Sequence, residues 1–346
     1  MTSLSDRVNW MKTVRSQRSS VNKSAVCLAF SAMLFALCAA ADAQDTKKIP
    51  RIGFLALLVG RLAPEQAFLQ SLRDRGYIDG QNITIDYRFA GGKVDRLPEL
   101  AEELVRTKPK LIVARATPAA QAAKNATTTI PIVMFSVADA VGSGFVANLA
   151  RPGGNMIGVT NIMPELAGKR LELLREILPK LSRVAFLAYE PDPAHKLFVN
   201  EAQQAAERLG MKFQPLVITA VDEIESAFAA MTKERAGALV IQPLFSSNLG
   251  QGKKIADLAL RNRLPTMSDG GGFPEAGGLM LYGPNQLHLA RRVAVFVDKI
   301  LKGAKPGDLP VEQPTTFEFV INLKTAKQIG LTIPQSVLYR ADRVIK

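Results

Sequence analysis

"LIVARATPAAQAAKNATTTIPIVMFS", residues 111–136, decides the fold. Its first part, within "KLIVARA" (110–116), is an apolar run of strand length. Thr117 and Pro118 then open an Ala-rich helix, with Thr117 expected as N-cap and Pro118 at the first helical position. A polar turn and Pro131 lead into a second apolar run, "IPIVMFSV" (130–137). Strand, helix, strand at this spacing is a parallel unit with its helix on one face.

The same unit recurs later. "ALVIQPL" (238–244) is followed by the helical "KKIADLALRN" (253–262) and the Pro-led "RLPTMSD" (263–269). The surrounding chain fits two such halves. "IPRIGFLAL" (49–57), "NITIDYRF" (82–89) and "MIGVTN" (156–161) read as further strands of the first. A helix between Pro64 and Gly76, and another with Leu97, Leu100 and Leu104 on one stripe, alternate with them. The second half opens on "KRLELLREIL" (169–178), then strand "RVAFLAY" (183–189), helix "AHKLFVNEAQQAAERLG" (194–210) and strand "KFQPLVI" (212–218). Two doubly wound lobes facing each other predict a site in the cleft, outside the carboxyl ends of the strands.

The first 43 residues are of another kind. Arg7, Lys12, Arg15, Arg18 and Lys23 precede the apolar Val26–Ala41, and "ADAQD" offers a small-x-small cut after Ala43. This is the layout of a secretory signal peptide. The apolar run is short of the roughly 20 residues that span a bilayer, so cleavage is expected rather than anchoring. Both cysteines, Cys27 and Cys38, lie in that run, so the mature chain has no disulfide, thiolate or cysteine metal site. Leu37 before Cys38 argues against lipid attachment. The expected location is the periplasm.

The chain carries a net charge of +13. Its basic residues are dispersed and lack interleaved aromatics, which reads as a solvated surface, not a nucleic-acid footprint. Only His195 and His288 are available, far apart, so neither a metal pair nor a Ser-His-Asp arrangement is expected. Gly142-Ser-Gly144-Phe-Val-Ala147 matches G-x-G-x-x-[GA], but Asp139-Ala-Val separates it from its strand. The glycine-rich "SDGGGFPEAGGLMLYGP" (268–284) holds no Lys or Arg, so it is a poor phosphate loop. No catalytic residue, cofactor or metal is expected, and an enzyme is disfavoured.

Six stretches carry a resemblance: "KIPRIGFL" (48–55), "RGYIDGQNITIDYRFAGGKVDRLPELAEELV" (75–105), "ATPAAQAAKNATTTIPIV" (116–133), "NLARPGGNMIGVTN" (148–161), "EAGGLMLYGPN" (275–285) and "VDKILKGAKPGDLPVEQPTTFEFVINLKTAKQIGLTIPQSVL" (297–338). Together they resemble the ABC-transporter substrate-binding family that includes tryptophan-binding proteins. The resemblance implies a type I periplasmic binding protein: α/β, two Rossmann-like lobes joined by three crossing segments, with ligand in the interlobe cleft. It implies lobes at 44–160 plus 284–312 and at 161–283 plus 313–346. The crossings are expected near Thr160–Asn161, near "GGLMLYGPN" and near Glu312–Phe319, with Gly277, Gly278 and Gly283 as hinge-region glycines. The implied partners are a small solute and ABC permease subunits, the protein acting as a monomer. An extracytoplasmic sensor of the same fold is the alternative.

Strand ends then supply the candidate site. Gly60 and Arg61 follow strand one, and Arg115, Thr117 and Pro118 follow strand three. The helix start at Thr117 favours a carboxylate, and Arg115 stands where the family usually has Ala or Gly. Ser136 lies at strand four; Asp139 follows it, either touching ligand or capping a helix over 140–150. Asn161 marks the first crossing. In the second lobe, Tyr189, Glu190, Gln242, Phe245, Ser268 and Asp269 lie at the equivalent ends, joined by Tyr282 at the return. Glu190 or Asp269 would accept from an α-amino group, while Tyr189, Phe245 and Tyr282 would form an apolar wall. The expected ligand is an apolar or aromatic amino acid, or an aromatic or branched acid.

Overall fold

Five strands, β1 (Arg51–Ala56), β2 (Thr84–Phe89), β3 (Leu111–Arg115), β4 (Ile132–Ala138) and β5 (Met156–Asn161), form a parallel sheet in the order β2-β1-β3-β4-β5. A second sheet holds β6 (Arg183–Tyr189), β7 (Lys212–Ile218), β8 (Ala238–Ile241), β9 (Thr266–Ser268), β10 (Met280–Pro284), β11 (Phe317–Asn322) and β12 (Arg343–Ile345), in the order β12-β11-β10-β9-β8-β6-β7. The run β7-β6-β8-β9-β10 repeats the winding of the first sheet strand for strand. Each sheet therefore has its own switch point, where the order reverses about its first strand. Only β11 runs antiparallel to its neighbour β10. The computed structural model describes residues 49–57, 62–247 and 249–346; the expected signal segment and the site candidates Gly60 and Arg61 lie outside them.

Helices cover both faces. α1 (Ala63–Arg73), α2 (Leu97–Arg106) and α3 (Thr117–Ala126) belong to the first sheet. α4 (Ala167–Ile177), α5 (His195–Arg208), α6 (Ile224–Lys233), the short α7 (Pro243–Ser247) and α8 (Gly252–Arg261) follow in the second half. α9 (Gln286–Leu301) returns to pack on α1, β4 and β5, and α10 (Leu323–Gln328) and α11 (Gln335–Leu338) close the chain beside the second sheet. The stripe in α2 is buried as its spacing requires, at Leu97, Leu100, Ala101 and Leu104. In β6, Ala185, Leu187 and Tyr189 enter one apolar layer while Val184, Phe186 and Ala188 enter the other, the period-two alternation of a strand covered on both faces.

The chain passes between the sheets after Asn161, at Asn285, and between Glu312 and Phe317. The glycines before the second passage serve close approach. A Cβ on Gly283 would lie 2.1 Å from the Asp269 carbonyl oxygen, and one on Gly278 would lie 2.1 Å from the Phe273 ring. They let the loop after β9 lie flat against β10, while the turn into α9 is made by Asn285, whose side chain accepts from His288 N.

Two local expectations are corrected. No helix forms over 140–150; the segment is a series of turns. Asp139 Oδ1 accepts from Val141 N and its carbonyl accepts from Ser143 N, closing a turn at φ +33°. Thr117 is not the N-cap of α3. Ala116 holds that place, with Thr117 and Pro118 inside the first turn, because the Thr117 hydroxyl is engaged elsewhere, accepting from Ala138 N at 3.0 Å.

Candidate functional site

The carboxyl ends of β3, β4 and β5 meet those of β6, β8 and β9 around a small cavity of about 40 Å³. Arg115, Thr117, Ser136 and Asn161 line it from the first half, and Asp192, Pro243, Gly270 and Gly271 from the second. A larger cavity of about 400 Å³ adjoins it, sharing Arg115, Gly270, Gly271 and Gln286. Leu62, Pro64, Leu281, Pro284 and Leu287 give this chamber apolar walls, and Glu275, Glu318 and Arg343 border it.

The first wall is built by a strained turn. Ala116, between β3 and α3, has φ +67° and ψ 164°, a region that glycine occupies with far less strain. This geometry places Arg115 and Thr117 at the cavity together with the start of α3, whose dipole favours an anion. Arg115 is buried. Its Nε lies 2.7 Å from Glu65 Oε1, its guanidinium sits 5.3 Å from the centre of the Phe135 ring, and its Nη1 has no hydrogen-bond partner among the described residues. Burial lowers its pKa, and Glu65 opposes that shift. Glu65 is itself held by Leu62 N, which donates to Oε2 at 2.9 Å.

Ser136 owes its direction to a bulge: the β4–β5 register slips between Phe135 and Val137, and Ser136 takes φ +60°. Asn161 Nδ2 donates to the Ser136 carbonyl at 2.9 Å and to its Oγ at 3.2 Å, while Asn161 Oδ1 accepts from Met163 N. The end of β5 is thereby tied to the bulge as the chain leaves for the second half.

The second wall differs from the expected one. Gln242 is buried away from the cavity as a bridge. Its Oε1 accepts from Tyr189 N at 2.7 Å and its Nε2 donates to Asp192 Oδ2 at 2.5 Å. Asp192, which the sequence reading passed over, therefore lines the cavity in place of Glu190, which is exposed. Its Oδ1 also accepts from Ala194 N at 3.0 Å, and burial pushes its carboxyl up to about 6 against these hydrogen bonds and His195. Asp269 does not reach the cavity; it is buried against Arg170, with Oδ2 3.3 Å from Nη1. Ser268 is fully buried beside it.

None of the three expected aromatic residues lines either cavity. Tyr189 and Phe245 pack edge-to-face in the core at 5.9 Å, and Tyr282 stacks on Phe317 at 6.3 Å. Pro118 and Asp139 border the small cavity through their neighbours Thr117 and Ala138 without lining it. Among the described residues no group of three or more His, Cys, Asp or Glu is placed to hold a metal ion.

Comparison with known proteins matches this architecture. The profile of the ABC transporter substrate binding protein family covers residues 59–345. The chain belongs to that family. As a substrate-binding protein it has the type I periplasmic fold, two Rossmann-like lobes about a cleft. It is similar to a tyrosine-binding protein of Clostridioides difficile, 29% identical over 292 residues and 83% of each chain. A Streptococcus pneumoniae protein solved in complex with L-Trp is 29% identical, covers 86% of this chain and 99% of its own, and superposes with a TM-score of 0.78. A ligand-free, open substrate-binding protein with adhesive properties from Clostridium difficile is 26% identical over the same shares, with a TM-score of 0.61.

The signal that could have found Asp192 in this substrate-binding protein is the turn "YEPDPAH" (189–195). An Asp between two prolines, just ahead of a helix, is placed to accept from the following backbone.

Proposed function

We propose that this substrate-binding protein delivers an amino acid with an apolar or aromatic side chain to an ABC importer, closing its lobes on the ligand. One observation carries the reading: Arg115, whose Nη1 has no hydrogen-bond partner among the described residues, lines a cavity walled by strand ends of both lobes, beside the start of α3. A ligand carboxylate satisfies both features. The apolar body lies in the adjoining chamber of about 400 Å³, within the size range of small-molecule sites. The named relatives, tyrosine-binding and in complex with L-Trp, bind ligands of this class.

One fact supports closure. At equal coverage the chain superposes better on the complex than on the open protein, 0.78 against 0.61. The moving bodies are residues 44–160 plus 284–312 and 161–283 plus 313–346, a hinge pair. Export to the periplasm follows from the basic and apolar start, with cleavage after Ala43.

Mass spectrometry of ligand carried through purification, followed by calorimetry with the twenty L-amino acids, tests the reading. An amino acid bound with micromolar or better affinity is the expected result. Tight binding of an uncharged sugar, with no carboxylate bound, would reject it.

A further inference from the structure

The charges around the small cavity do not balance. Among the described residues, Arg115 and Asp192 are the two charged side chains that line it. Arg115 is already met by Glu65 at 2.7 Å, both side chains being almost wholly buried. Asp192 has no such counterpart. It is 2% exposed and receives hydrogen bonds from Ala194 N and Gln242 Nε2, and among the described residues no Lys or Arg pairs with it. Its nearby basic group is His195, whose Nδ1 faces the Asp192 carbonyl at 2.9 Å rather than the carboxylate. Among the described residues at the small cavity, Glu65, Arg115 and Asp192 together thus leave one negative charge in excess.

A buried carboxylate without a cation is costly, and the cost is relieved only when a positive group arrives. A carboxylate offers about four lone-pair directions, of which the two protein donors occupy two. Burial raises the pKa of Asp192 to about 6, and at neutral pH the group remains mostly ionised.

Building on the reading that the cleft binds an amino acid, we infer that Asp192 is the acceptor for the ligand's α-ammonium group and the residue that makes the protein reject acids lacking an amine. Gln242 is its positioning residue. The amide fixes one carboxylate oxygen from β8 and anchors itself on the Tyr189 N–H of β6, so the acid is aimed by two strands at once. The ligand's negative end goes to Arg115 and the start of α3, and its positive end to the unbalanced acid across the cavity. An aromatic or branched acid without the amine would meet Asp192 with nothing to offer it.

The test is calorimetry on the wild-type protein with paired ligands: L-tryptophan against indole-3-propionate, and L-tyrosine against 3-(4-hydroxyphenyl)propionate. If neither amino acid binds, the tightest binder among the twenty L-amino acids is paired with its des-amino acid. Removal of the amine should weaken binding by roughly 10- to 100-fold, the loss of one charge-assisted hydrogen bond. Asp192→Asn should weaken the amino acid by a similar factor without weakening the des-amino acid, so that the ratio between the pair collapses. Gln242→Leu should narrow the ratio less.

Equal binding of both members of a pair by the wild type would overturn the role of Asp192 and leave the carboxylate site standing. A ratio preserved in folded Asp192→Asn would overturn it as well. Failure of every amino acid and des-amino acid to bind would reject the carboxylate reading itself and this inference with it.

Discussion

Each half of the molecule buries one arginine against one acid, and the two pairs do opposite work. In the first half Arg115 meets Glu65 at 2.7 Å; in the second Arg170 meets Asp269 at 3.3 Å. Arg170 spends two of its nitrogens on the backbone, and its Nη2 has no hydrogen-bond partner among the described residues. Nε donates to the Tyr282 carbonyl and Nη1 to that of Met163, so one side chain ties the first passage between lobes to the strand that leads into the second. Arg115 donates to no backbone carbonyl among the described residues. It lies against the Phe135 ring and lines the cavity. The pairs are alike in charge and burial. What separates them is that Arg170 holds backbone carbonyls while Arg115 lines the cavity.

Arg170→Met should break this comparison most visibly. It strips two carbonyls of their donor and leaves Asp269 buried without its cation. A stability loss of about 3–5 kcal/mol is expected by urea denaturation, the range for a buried pair halved. A loss below about 1 kcal/mol would show that Arg170 is no clamp.

Asp192, which no Lys or Arg among the described residues pairs with, gives the next effect, through pH. Its folded value of about 6 lies above the ordinary carboxylate value of 3.8. Between these the folded protein holds a proton that the unfolded chain has released. The stability from this group is therefore full below about pH 4 and falls as pH rises through 6. The shift corresponds to about 3 kcal/mol over that window. The difference in stability between wild type and Asp192→Asn, measured from pH 4 to 7 without ligand, should show this slope. A difference independent of pH would mean that the carboxyl is not perturbed.

Arg115→Ala sharpens the contrast from the binding side. The affinity for the amino acid should fall by about 1.5–3 kcal/mol in calorimetry, one charge-assisted contact. Unchanged affinity would leave the helix start as the sole anion site. The smallest effect belongs to the strained turn beside Arg115. Ala116→Gly should raise the denaturation midpoint by the equivalent of about 1 kcal/mol, since φ +67° with ψ 164° is strained for alanine. A fall in the midpoint would mean that the turn carries little strain.

Local pattern alone set the two wound sheets with their parallel strand–helix–strand units, the alternation of helices and the strand ends at which a ligand must lie. These follow from local periodicity, which a chain cannot hide: apolar runs of strand length, stripes such as that of α2, and a repeated strand–helix–strand unit. The same logic brought Arg115, Thr117, Ser136 and Asn161 to the cavity. Only the tertiary structure decided which acid faces them. Glu190, Asp192 and Asp269 all sit within a few residues of a strand end, yet one is in solvent, one lines the cavity and one is locked to Arg170. A strand end fixes position to within a residue or two. The direction of a side chain there depends on partners far along the chain: the Gln242 amide is 50 residues from Asp192, and the Phe317 ring, which holds Tyr282 out of the cleft, stands on a neighbouring strand. Such pairings exist only once the sheets have formed, because burial and hydrogen bonding between distant segments, rather than local spacing, set their energy.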